Sequence, residues 1–276
     1  MRWKQFFTPV KSFDALEAGK YLKEMPPAGI TVLDVRQPNE YQAGHIPGAK
    51  LIPLPDLGNR LNEIDSSKPT LVYCAIGGRS RVAAQMLAGK GFADVINLSG
   101  GFKAWTHEAA YGDLDDGLEL FGGDESIEHV LAVAYSLEVG LEDFYQQMTS
   151  KVIQPDAKTL FEKLAGIEEK HQQRVYDIYA GLSTAPVSIE VFAGEVVTEA
   201  TEGGLTTEDY MARFQPDLTS PADIIGLAMS IEAQALDLYL KTAERSEAPE
   251  SRQALMQIAD EERAHLNSLG KVMEKI

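Results

Sequence analysis

The sequence predicts a multidomain protein: an α/β parallel sheet in the first part and an all-α four-helix bundle in the second. Three observations predict it. Up to about residue 110, short apolar runs alternate with helical stretches. From Ser126 onward the apolar period becomes about 3.6 and β-like runs are scarce. The charge divides at nearly the same place. Residues 1–117 carry 13 basic and 13 acidic side chains, whereas residues 118–276 carry 12 basic and 29 acidic, so the whole net charge of −17 lies in the second part.

In the first part, 13–24 reads as a helix and 30–35 (ITVLDV) as a buried strand. A strand over 50–54 and a helix over 57–64 follow. Then come a strand over 70–73 (TLVY), a helix over 79–90 and a strand over 94–98. Apolar strands alternating with helices suit a parallel sheet covered on both faces. The expected bounds are 1–112 for this domain, 113–124 for a linker and 125–276 for the helical domain. The segment 111–123 (YGDLDDGLELFGG) is rich in Gly and Asp, which marks the connection. Helices are expected near 125–149, 156–181, 221–246 and 249–274. A long crossover over 182–220 separates the second from the third, with a short helix expected around 208–214. One long crossover is the ferritin-like form of a four-helix bundle.

At 276 residues the chain has room for two domains. No apolar run is long enough to span a bilayer. The start, MRWKQFFTPV, is basic without a following apolar stretch or cleavage site, which predicts no signal peptide and a cytoplasmic location. The acidic second part argues against nucleic acid or an anionic membrane as partner. Cys74 is the single cysteine, so it forms neither an internal disulfide nor a four-cysteine metal site.

The helical part repeats itself at a shift of 94 positions. Ala134 meets Ala228, Glu138 meets Glu232 and Tyr145 meets Tyr239. Glu168 meets Glu262, and His171 meets His265. Packing alone repeats apolar positions loosely; here the chemistry is duplicated. Glu168-x-x-His171 and Glu262-x-x-His265 each place two ligands on one helix face. That face also carries Leu160, Phe161, Leu164, Val175 and Ile178 in one helix, and Leu255, Ile258, Leu269 and Val272 in the other. Glu138 and Glu232 sit among apolar neighbours on the remaining two helices. Four carboxylates in a bundle core repel one another unless protonated or balanced by cations. Oxygen and imidazole donors suit iron or manganese, and zinc less exclusively.

Residues from about 125 to 276 resemble the ferritin-like domain of the rubrerythrin family. The resemblance implies two iron ions held by Glu138, Glu168, His171, Glu232, Glu262 and His265. It implies Tyr145 and Tyr239 hydrogen-bonded to ligand carboxylates, and reduction of peroxide or dioxygen. Rubrerythrins often carry a four-cysteine iron module that delivers electrons. This chain cannot build one, so an external, rubredoxin-like electron donor is expected. An additional carboxylate ligand, common in the family's crossover, has Glu195, Glu199 and Glu202 as candidates. A homodimer is left open.

The loop Cys74-Ala75-Ile76-Gly77-Gly78-Arg79 follows a buried strand and precedes a helix. Backbone N–H groups and a helix start make an anion cradle that favours a thiolate and would hold a persulfide. Residues from about 8 to 110 resemble a single-domain rhodanese, through LDVRQPNEYQAGHIPGA, YCAIGGRS and LSGGFKAW. Four residues separate Cys74 from Arg79, where cysteine phosphatases and arsenate reductases have five. The resemblance implies that Cys74 accepts sulfur from a sulfane donor such as thiosulfate and passes it to a thiol or cyanide. It further implies that Arg79 steers the anionic donor. Asp34, Arg36 and Glu40 are expected to form ion pairs around the first strand. Gln37 stands where the family often has an acid. Two other readings stand beside this one: a di-iron centre that oxidises the Cys74 persulfide, and a metal-storage or sulfur-carrier protein without turnover.

Overall fold

The computed structural model describes residues 9–26, 29–121, 126–182, 185–193, 204 and 206–275. Its packing divides the chain into two units, Met1–Leu114 and Asp115–Ile276. The candidates Glu195, Glu199 and Glu202 lie outside the described residues.

In the first unit, five strands form one parallel sheet: β1 (Lys11–Phe13), β2 (Thr31–Asp34), β3 (Lys50–Leu51), β4 (Thr70–Tyr73) and β5 (Val95–Leu98). Their order is β1-β5-β4-β2-β3, with Leu33 opposite Val72 and Leu71 opposite Ile96. The central strand β4 is buried along its whole length, as a strand covered on both faces must be. On one face, Ala83, Ala84 and Leu87 of helix α3 (Gly78–Gly89) pack with Leu33, Val35 and Val72. On the other, Ala18 of α1 (Ala15–Glu24) and Tyr41 of α2 (Pro38–Gln42) pack with Leu71, Tyr73 and Leu98.

Phe13, expected in the first helix, belongs instead to β1. Asp14 starts α1 by accepting from Glu17 N while Glu17 accepts from Asp14 N, a capping box that fixes the boundary. The helix expected over 57–64 is two 3₁₀ turns, Leu57–Asn59 and Leu61–Glu63. Gly58 and Asn59 are poor helix formers, and only Leu57 and Ile64 of this stretch are buried. Neither β1, an edge strand of three residues, nor α2 carries a periodic signal long enough to read.

The second unit holds four long helices: α4 (Ile127–Lys151), α5 (Pro155–Leu182), α8 (Pro221–Arg245) and α9 (Pro249–Met273). Pro stands at the first position of α8 and α9, where its missing N–H costs nothing. Ser126 and Ser220 cap α4 and α8 through their hydroxyls. The helices pair as two hairpins, α4 with α5 and α8 with α9. Between the hairpins lie α6 (Ile189–Ala193) and α7 (Thr207–Phe214). Phe192 of α6 stacks on Tyr179 with centroids 4.4 Å apart and meets Tyr135 edge-on. Val272, expected on the buried stripe, is 40% exposed near the carboxyl end of α9. Among the described residues no helix is long and apolar enough to cross a membrane.

Candidate functional site

Cys74 directly follows β4 at its carboxyl end, in the middle of the sheet. Crevices in parallel sheets open at that end. Gly77 caps α3 with φ +91°, a left-handed conformation that suits glycine. It turns the chain so that Gly77 N donates to Cys74 Sγ at 3.2 Å. Burial pushes the thiol toward its neutral form. The Ser80 hydroxyl and the amides of Ser80, Ile76 and Gly77 outweigh burial, and the thiol falls below its ordinary value of 9.0. Ser80 Oγ lies 2.7 Å from Asn97 Oδ1 on β5. Ala75 is half-buried, Ile76 is 70% exposed at the loop's tip, and Gly78 opens the helix in free space.

The loop is braced from behind by the segment after β5. Phe102 N donates to Cys74 O at 2.7 Å, and Lys103 N to Ala75 O at 3.0 Å. A Cβ on Gly101 (φ +61°) would lie 2.3 Å from Cys74 O and 2.6 Å from Ile76 N, so only glycine allows this approach.

Asp34 and Arg36 form a buried pair at 2.6 Å, and the guanidinium lies over Phe102 and donates to Gly44 O. Glu40 does not join it. It reaches Arg79, accepting from Nη1 at 2.8 Å and from Nη2 at 2.6 Å. The hydrogen bonds from Arg79 hold the Glu40 carboxyl down at about 2. Arg79 and the motif LSGG are legible in the sequence; the roles of Ser80 and Asn97, the close approach of Gly101 and the Glu40–Arg79 pair are not. A contact spanning 39 positions leaves no local periodicity to read.

The second unit gathers the six candidate ligands into two clusters, Glu138–Glu168–His171 and Glu232–Glu262–His265. Within each, one ligand atom per residue lies within 4.8 Å of the others. Each cluster comes from one hairpin. All four carboxylates are at most 2% exposed. His171 Nδ1 lies 2.6 Å from Glu168 Oε2 and 3.5 Å from Glu138 Oε2. His265 Nδ1 lies 3.2 Å from Glu262 Oε2 and 3.4 Å from Glu232 Oε2. The two imidazoles stack at 3.5 Å with planes 3° apart, joining the clusters.

This donor set fits divalent cations. Glu138 Oε2, Glu168 Oε1 and Glu232 Oε2 are buried and accept no aligned hydrogen bond, a costly state for a carboxylate. Burial drives Glu168 upward, and the neighbouring Glu232 and Glu138 carboxylates add to it. At Glu232, the nearby His265, Glu262 and His171 more than offset burial and lower the carboxyl. Burial opposes charge on His171 as well, but Glu138 and Glu168 beside it raise it to about 10. Without cations, protons must therefore balance the centre. Tyr145 and Tyr239 are fully buried. His129 is exposed, and His107 Nε2 lies 3.2 Å from Ala15 O.

The Rhodanese-like domain family matches residues 17–108. "Thiosulfate sulfurtransferase GlpE" of Pseudoalteromonas translucida is 34% identical over 102 residues, covering 37% of this chain and 95% of that protein. "Uncharacterized protein YqhL" of Bacillus subtilis is 50% identical over 74 residues, covering 27% of this chain and 59% of the relative's length. A crystal structure of a rhodanese-like domain protein from Staphylococcus aureus is 34% identical, with a TM-score of 0.33, covering 35% of this chain and 91% of that one.

Proposed function

We propose, from the premise that the chain belongs to the rhodanese-like family through its first unit, that it is a sulfurtransferase acting through a Cys74 persulfide. Its helical unit, in the same reading, holds two cations for reduction of peroxide or dioxygen. The lowered thiol in its ring of amides carries the first half. The thiolate attacks the outer sulfur of a sulfane donor. The bond from that sulfur to the donor breaks, and sulfite or a thiolate leaves with the electron pair. The amides that favoured the thiolate then hold the persulfide, whose outer sulfur passes to an acceptor thiol or to cyanide. The test is thiocyanate formation from thiosulfate and cyanide. Turnover above the protein-free rate is expected, and its absence would reject this half.

The paired ligand clusters carry the second half, together with the resemblance of their motifs to rubrerythrins. Glu138, Glu168 and His171 would hold one cation, and Glu232, Glu262 and His265 the other. Iron is the leading candidate, with manganese or zinc as alternatives. Iron, when bound, supplies electrons to the O–O bond of a peroxide. The bundle core excludes bulk water, and Tyr145 and Tyr239 orient ligand carboxylates by hydrogen bonds. Electrons are expected from an external, rubredoxin-like protein, since one cysteine cannot build that module. Protein purified without added metal should contain two cations per chain, read by metal analysis with an optical spectrum. Reduced, iron-loaded protein should then be oxidised by peroxide faster than aqueous iron in stopped flow. A rate equal to aqueous iron would reject the peroxide reading.

A further inference from the structure

Arg79, the second residue of α3, lies close enough to Cys74 for a hydrogen bond to the sulfur and the sulfur's charge to favour its guanidinium. It is the obvious cation for an anionic donor, yet both of its terminal nitrogens already bind one carboxylate at 2.8 and 2.6 Å. That fork-to-fork geometry is the strongest arrangement open to the pair. Glu40 is also tied to its own helix, accepting from Gln37 N at 3.1 Å, so it cannot swing away without uncapping α2. The pair is about a third exposed, at the surface beside the loop.

We propose that Glu40 is a positioning residue that sets the charge selectivity of the Cys74 cradle: by engaging Arg79 it withholds a full positive charge from incoming dianions, so the cradle takes sulfur from persulfides in preference to thiosulfate. The inference rests on the sulfurtransferase reading and names its donor class. With a persulfide, the thiolate attacks the outer sulfur of R–S–SH. The S–S bond breaks, R–S⁻ leaves with the pair, and the proton stays on the sulfur now bound to Cys74. With thiosulfate, the same attack expels sulfite. The reactants then bring three negative charges together, with only the loop amides and a neutralised Arg79 to meet them.

The chain's single cysteine allows a test that needs no turnover. Alkylation of Cys74 in the full-length protein is timed with neutral iodoacetamide and with anionic iodoacetate. Their rate ratio cancels any change in the amount of thiolate. In Glu40→Gln, which keeps an acceptor for Gln37 N, the iodoacetate-to-iodoacetamide ratio should rise about fivefold. In Glu40→Gln with Arg79→Gln it should return to the wild-type value or below. Glu40→Gln should likewise raise kcat/KM for thiosulfate about fivefold relative to cysteamine persulfide, a donor whose ammonium group keeps it free of net negative charge even when its outer sulfur ionises. A purely structural role would slow both reagents together. A ratio unchanged within twofold would overturn the proposal, as would a Cys74 that neither reagent reaches in any variant. If Cys74 alkylates but takes sulfur from neither donor, the sulfurtransferase reading fails and the donor preference with it. The alkylation ratio would still report on Glu40 alone.

Discussion

The two candidate sites are built from opposite materials. At Cys74 the charge is met mainly by peptide N–H groups and one hydroxyl, held by a loop whose shape depends on glycines at 77 and 101. In the helical unit it is met by side chains alone, six of them projecting from regular helices. A site made of backbone is sensitive to chain path and tolerant of side-chain identity at its tip, where Ile76 is exposed. A site made of side chains on helices has the reverse sensitivity, since the helix path is set by many apolar contacts while the chemistry rests on the identity of each side chain.

The largest expected effect isolates one site from the other. Cys74→Ser should abolish thiocyanate formation while the metal-to-protein ratio stays at its wild-type value. Metal content falling in step with activity would break the comparison, because the sites would then depend on each other.

Next comes the cost of leaving the anionic cluster uncompensated. Chelation should lower the melting temperature of the helical unit, followed by circular dichroism. The loss is about 4 kcal/mol for each cation removed where free cation stands a thousandfold above its Kd. Glu262→Gln should bind about one cation per chain by metal analysis, since the ligands of each cluster come from one hairpin. Two cations retained would dissolve the pairing.

Gly101→Ala probes the backbone site without touching a functional side chain. Its methyl group would meet Cys74 O at 2.3 Å, at a φ of +61°. A loss of about 2 kcal/mol is expected in the unfolding of the first unit, with loss of sulfur transfer and no change in metal content. An alanine variant with full activity would show that the loop does not need the brace.

The smallest effect concerns protons. Because the folded protein lowers the Cys74 thiol, alkylation by iodoacetamide should reach half its plateau below pH 9.0. Ser80→Ala removes a group that favours the thiolate, so the midpoint should move up. A downward shift would show that Ser80 acts some other way.

Much of the helical unit was legible because its signals are periodic. Glu168-x-x-His171 and its copy at Glu262-x-x-His265 stand out against a 3.6-residue apolar rhythm, and Pro221 and Pro249 stand at the starts of α8 and α9. In the first unit, the run Thr70–Tyr73 and the Cys74 loop were legible for the same reason, strand pattern and glycine spacing. The short elements β1, α2 and α6 were not, since three to five residues are too few to establish a period.

By itself, then, the sequence determined which side chains face inward: an amphipathic helix or buried strand commits its faces through local spacing. Tertiary structure alone decided how those residues meet. It sorted the six candidate ligands into two hairpin clusters joined by stacked imidazoles. It pressed Gly101 against the carbonyl of Cys74. It gave Arg79 to Glu40, 39 positions away, rather than leaving it to solvent. Such contacts depend on how whole elements pack, and no local stretch of chain carries the energy that selects them.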